Sequence, residues 1–216
     1  MLDGPRISPA GGGPAHHLVV FLHGYGADGN DLIDIGQRWA PLLPDTAFAS
    51  PHAPQASDES PIGRQWFPLA GVDAHKLWDG VTGAAPELDR FLDMELRRLG
   101  LSDAQLALVG FSQGTMMALQ VGPRRKHAIA GIVGYSGLLA GPEHLAADKR
   151  HAPPVLLVHG RDDPLIPVIA MHAATKVLGE TGFKVEWHVR PSLQHGIDQE
   201  GLRLGGAFLQ QVFRRA

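Results

Sequence analysis

Three kinds of residue in this chain have the types and order needed for acyl transfer. Ser112 sits between two glycines in Gly110-Phe111-Ser112-Gln113-Gly114, Asp162 and Asp163 lie in HGRDDP, and His195 lies in LQHG. A serine hydroxyl is a poor nucleophile at neutral pH, so a neutral imidazole must take its proton as attack proceeds. A carboxylate on the far ring nitrogen would fix the tautomer and stabilise the imidazolium. Asp162 and Asp163 are alternatives for that acid, and neither periodicity nor charge separates them. Negative charge developing on the substrate oxygen needs backbone donors. The N–H of Gln113, directly after the serine, is one candidate. The best-placed second is Tyr25 in HGYG (23–26).

The Gly-x-Ser-x-Gly pattern alone is a moderate signal. With 8 serines and 27 glycines in 216 residues, about one such sequence in eight would carry it by accident. Its surroundings decide the matter. Continuous apolar runs at 17–24, 46–51, 106–111, 128–136 and 155–160 suit strands buried on both faces of a parallel sheet. The run at 184–189 alternates instead, with Val185, Trp187 and Val189 on one face. Between the runs lie helical patterns. Leu88, Phe91, Leu92, Leu96 and Leu99 form one stripe, which predicts a helix over 87–100 with Pro86 at its start and Gly100 at its end. A second helix is expected over 167–179, and a third carries Phe208, Leu209, Val212 and Phe213. The opening segment, rich in Gly and Pro, reads as an extended edge or a turn. Residues 52–80 have no clean periodicity, which predicts a long loop of the kind that usually serves function.

Strands alternating with helices predict an α/β fold with a mostly parallel central sheet and helices on both faces. In such a sheet, ligands bind at the carboxyl ends of the strands. His23 to Tyr25, Ser112, Asp162 and Asp163, and His195 all follow strand runs. A serine, an acid and a histidine thus fall at corresponding strand ends in the chain order Ser–Asp–His. That order is the one expected of the α/β-hydrolase architecture.

Composition narrows the class. Hydrophobic residues make up 44% and charged residues 19%, with a formal net charge of −3. No Lys/Arg stripe is present, so nucleic acid is not an expected partner. The chain has no cysteine, which removes disulfides, thiolate metal sites and a cysteine nucleophile. No signal peptide pattern and no run of 18 apolar residues occur. A single domain over 1–216, cytoplasmic and without integral membrane association, is the expectation. The 12 histidines raise the question of a metal site. No His-Glu-x-x-His or other ligand spacing appears, so neither metal nor cofactor is expected.

FLHGYGADGNDL (21–32), GFSQG (110–114), HGRDDPLIP (159–167) and LQHGIDQEG (193–201) together resemble the phospholipase/carboxylesterase family, which includes acyl-protein thioesterases and small bacterial carboxylesterases. RQWF (64–67) resembles the tryptophan-bearing loop of its bacterial members. The resemblance runs along nearly the whole chain, in order. It implies an α/β-hydrolase without a large cap domain and a triad of Ser112, Asp163 and His195. It implies oxyanion donors at Tyr25 and Gln113, where thioesterases usually carry leucine at the first position. It also implies a possible homodimer. The expected activity is hydrolysis of a small-molecule or lipid-like carboxylic ester through an acyl-enzyme. An acyl-thioesterase or lysophospholipase using the same triad is the alternative.

Plainer roles compete at several positions. Ser136 in GYSG lacks the second glycine and reads as a structural strand end. His23 and His159 are expected to bond to loop backbone rather than to act on substrate, and His188 to be solvated. Trp66 and Phe67 either pack as a lid over the sheet edge or line an acyl pocket, and Leu165 is expected to face substrate. A hydrolase-like protein that only binds a hydrophobic ligand, and a metal-dependent hydrolase, are the readings from other classes.

Overall fold

The structure, a computed structural model, describes residues 1–58, 60–69 and 73–215. Its strands are β1 (Arg6–Ile7), β2 (His17–Leu22), β3 (Thr46–Ala49), β4 (Gln55–Ala56), β5 (Arg64–Gln65), β6 (Leu106–Phe111), β7 (Gly131–Tyr135), β8 (Val155–Gly160) and β9 (Val185–Arg190). The α-helices are α1 (Asn30–Trp39), α2 (Ala74–Leu99), α3 (Gln113–Val121), α4 (Leu145–Asp148), α5 (Ile169–Glu180) and α6 (Gln199–Phe213). Seven strands form one sheet in the order β1-β3-β2-β6-β7-β8-β9. Every pairing is parallel except that of β1, which runs antiparallel to β3 at the edge. β4 and β5 form a separate two-stranded hairpin.

Side-chain alternation along β2 explains why the sheet is covered on both faces. Leu18, Val20 and Leu22 point into one core with Leu88, Phe91 and Leu92 of α2, Met116 and Met117 of α3, and Leu178 of α5. Val19 and Phe21 point the other way, to Trp39 of α1 and Leu209 and Val212 of α6. Both faces of the strand are apolar, which is why its sequence reads as an unbroken run. Leu88 and Leu92 are wholly buried, and each such side chain contributes about 1.5–3 kcal/mol relative to exposure.

Helix α2 differs from expectation. It starts at Ala74, not at Pro86, and carries Pro86 in its interior. The break in pattern at Gly80, Gly83 and Pro86 hides a helix that tertiary packing holds together, with Val81, Ala84 and Leu88 buried on one side. Asp73 caps its start by accepting from the Lys76 N–H. The stretch 52–80 is therefore a hairpin followed by the first turns of α2, rather than one long loop. Glu59 and residues 70–72 of that stretch lie outside the described residues. Among the described residues, no helix is long and apolar enough to cross a membrane.

The carboxyl ends of β2, β6, β8 and β9 deliver the residues singled out by the sequence to one edge of the sheet. No cap domain is inserted between these strands among the described residues.

Candidate active site

β6 runs directly into α3 through Ser112, whose backbone sits at φ 53°, ψ −116°. A positive φ at a non-glycine residue is strained and persists only where the surroundings impose it. Here they do. The Ser112 N–H donates to the Tyr135 carbonyl at 2.9 Å, and the Ser112 carbonyl accepts from the N–H groups of Thr115 and Met116. The Thr115 hydroxyl lies 2.8 Å from the Gly110 carbonyl and 2.9 Å from that of Tyr135. The flanking glycines leave no choice of residue. A Cβ at Gly110 would strike the backbone of Gly114 and Thr115, and one at Gly114 would strike the Leu22 carbonyl on the neighbouring strand.

The acid and the histidine meet because their two loops are stitched together. The Arg161 N–H donates to the Arg190 carbonyl and the Asp162 N–H to the Leu193 carbonyl. Asp163 is buried, while Asp162 is exposed. Asp163 Oδ1 accepts from the N–H groups of Leu165 and Ile166, both at 2.9 Å. Its Oδ2 lies 2.7 Å from His195 Nδ1. A carboxylate only accepts, so Nδ1 carries the proton and Nε2 is left as a base. Burial pushes the Asp163 carboxyl up, but the donors from Ile166, His195 and Leu165 more than offset it, and the group is held below the usual carboxylate range. Of the two adjacent aspartates, Asp163 is the one that meets the histidine.

The His195 ring stands 5.0 Å from that of Phe111, the residue before Ser112. The imidazole is thus beside the strained turn. No hydrogen bond joins the Ser112 hydroxyl to another described residue. Serine–histidine bonds of this kind commonly tighten only in the substrate complex.

Two backbone donors border the serine. Among the described residues, the N–H groups of Tyr25 and Gln113 have no hydrogen-bond partner. The segment carrying Tyr25 is close: a Cβ on Gly24 would stand 3.4 Å from Ser112 Cβ. That segment is fixed from three sides. Gly26 and Ala27 exchange backbone bonds with Arg64, whose guanidinium donates to the Ala53 and Pro54 carbonyls. His23 is fully buried, accepts from the Ala53 N–H at Nε2, and donates from Nδ1 to the Gly24 carbonyl. It bonds to loop backbone, as its sequence position suggests.

Trp66 and Phe67 are 1% and 2% exposed. The Trp66 indole donates to the His23 carbonyl at 3.0 Å. Trp66 thus packs beneath the loop that carries Tyr25 and offers no open wall to a ligand. Leu165 is the opposite case, 71% exposed on the turn after Asp163. Two clefts open near this edge. An apolar one of about 270 Å³ is lined by Ala74 and Leu77 of α2, Leu138 and Leu139 after β7, and Ala173 and Val177 of α5. A more polar one of about 430 Å³ is lined by Asp31, Asp34, Arg38, Phe111, Ile197 and Leu202. Among the described residues, no group of three or more His, Asp or Glu could hold a metal ion.

Two side-chain roles escaped the sequence reading. The Gln113 side chain accepts from the Trp66 N–H at 2.9 Å and donates to the Phe67 carbonyl at 2.8 Å, clamping the 64–67 segment to the serine turn. Ser136, also at positive φ, donates its hydroxyl to the Gly196 carbonyl and so holds the loop of His195. Only their places at strand ends on the same sheet edge hinted at either role.

Comparison with known proteins places these features in context. The sequence model of the phospholipase/carboxylesterase family matches residues 4–213. The esterase YpfH of Escherichia coli (strain K12) is 28% identical over 190 residues, 88% of this chain and 80% of that protein. Acyl-protein thioesterase 1 of Gibberella zeae is 27% identical over 210 residues, 89% of each. The crystal structure of esterase PE8 superimposes with a TM-score of 0.94 at 41% identity, covering 98% of this chain and 99% of that one.

Proposed function

The chain belongs to the phospholipase/carboxylesterase family and is a serine ester hydrolase, and we propose that it cleaves carboxylic esters through an acyl-enzyme formed on Ser112. The observation that carries this reading is the 2.7 Å bond between His195 Nδ1 and Asp163 beside the strained Ser112 turn. In the proposed cycle, His195 Nε2 removes the Ser112 proton as Oγ attacks the ester carbonyl. Asp163 holds the tautomer and stabilises the imidazolium. The N–H groups of Tyr25 and Gln113 take the oxyanion, each worth about 10²–10³ in turnover. His195 then protonates the departing alcohol, and a water activated by the same nitrogen releases the acid.

The apolar cleft between α2 and α5 suits a hydrocarbon acyl chain. It supports esters with a hydrocarbon acyl group over small polar ones. A thioester or lysophospholipid substrate would use the same groups, and the name of the Gibberella zeae relative favours that alternative.

A p-nitrophenyl ester series from acetate to palmitate, assayed with wild type and Ser112→Ala, tests the proposal. Ser112→Ala is expected to lower kcat by about 10⁶. Retention of most activity in that variant would sink the assignment. A rate maximum at long chains, or faster turnover of matched acyl-thioesters, would move the substrate class to the alternative.

A further inference from the structure

His159 ends one residue short of the close of β8 and is 1% exposed, out of reach of solvent and substrate. Its Nε2 lies 2.8 Å from the Ile166 carbonyl oxygen. That oxygen can only accept, so the His159 proton sits on Nε2. The same nitrogen lies 3.3 Å from Asp163 Oδ2, the oxygen that receives the His195 Nδ1 proton. Three donors thus converge on one buried carboxylate, Leu165 and Ile166 on Oδ1 and His195 on Oδ2, and His159 Nε2 stands within reach of that same Oδ2.

We infer that His159 is a positioning residue for the reaction, its Nε2–H shared between the Ile166 carbonyl and Asp163 Oδ2 so that it fixes the carboxylate against His195. The inference rests on the triad proposed above. Its physical basis is twofold. Bonding to Ile166 and Asp163 together ties the strand end to both ends of the 163–166 turn, leaving the carboxylate one orientation. A second donor on Oδ2 also holds in place the oxygen that faces His195, so the acceptor of the Nδ1 proton keeps one position through the cycle. Burial keeps His159 itself neutral, holding it below the usual imidazole range. The titratable groups that bear on it are Asp163, on the turn that follows, and His195, on the loop after β9.

The test compares His159→Leu, His159→Gln and His159→Asn on p-nitrophenyl acetate, with Ser112→Ala alongside. For His159→Leu, kcat is expected to fall about tenfold, the rate equivalent of one charge-assisted hydrogen bond. Its KM is expected to stay unchanged. In His159→Gln the amide nitrogen reaches the Nε2 position and restores most of kcat. In His159→Asn the nitrogen reaches only as far as Nδ1 and does not. Wild-type kcat in folded His159→Leu would overturn the inference. If that variant fails to fold, equal behaviour of the Gln and Asn variants would overturn it. Activity surviving in Ser112→Ala would instead overturn the triad, so the two failures are distinguishable.

Discussion

His23 has no place in the proposed chemistry, yet it makes the site's architecture sensitive to acid. Its Nε2 must stay unprotonated to accept from the Ala53 N–H, and burial lowers its pKa from the usual 6.5 to about 4. The unfolded chain therefore binds the proton first as pH falls. The His23 contribution to stability should decline between about pH 6.5 and pH 4 and level off below that, by on the order of 3 kcal/mol in all. Urea denaturation at pH 7 and pH 5 measures this, with His23→Gln removing most of the difference. An equal loss in that variant would show that the pH dependence comes from other groups. The candidate residues stood out at this scale because reactivity restricts residue type: serine, acid and histidine stand in order at strand ends. The choice between Asp162 and Asp163 was not, because adjacent residues share the same sequence context and only the fold turns one inward. The roles of Ser136 and Gln113 were equally hidden, since their partners are 60 and about 46 residues away in sequence.

Among the elements, the hairpin of β4 and β5 and the turn into α3 depend on each other. Gln113 is the link, and its side chain is wholly buried. Gln113→Ala leaves its backbone N–H in place but strands the Trp66 N–H and the Phe67 carbonyl. Unfolding free energy should fall by roughly 2 to 4 kcal/mol, because buried polar groups without partners are destabilising. The segment carrying Tyr25 loses its support from Trp66, and kcat should fall about tenfold or more as the proposed donor shifts. Denaturant titration and steady-state assays check both, and wild-type values in either would contradict the clamp. The long strands were legible here because both their faces are apolar. The hairpin was not, since each of its strands has two residues and β5 is held through Arg64 by backbone bonds with Gly26 and Ala27. The early start of α2 was masked by Pro86 and by glycines that pack closely, such as Gly80 against the Phe67 ring.

Across the whole molecule, a parallel sheet covered on both faces brings residues from four strand ends to one edge. Alternation of buried runs with helical stripes made that architecture readable from sequence, while the opening segment, read as an extended edge or a turn, supplies the edge strand and runs antiparallel. What sequence could not supply was which loops touch, because the bonds from Arg161 to Arg190 and from Asp162 to Leu193 join segments that approach only in three dimensions. Labelling with a p-nitrophenyl phosphonate, followed by mass spectrometry of the intact protein and its peptides, tests directly whether this edge presents Ser112 as a nucleophile. One adduct per chain is expected, on Ser112, formed in step with loss of esterase activity and absent in His195→Ala. An adduct at Ser136 or elsewhere that tracks the loss, or full activity in a protein fully labelled at Ser112, would contradict it.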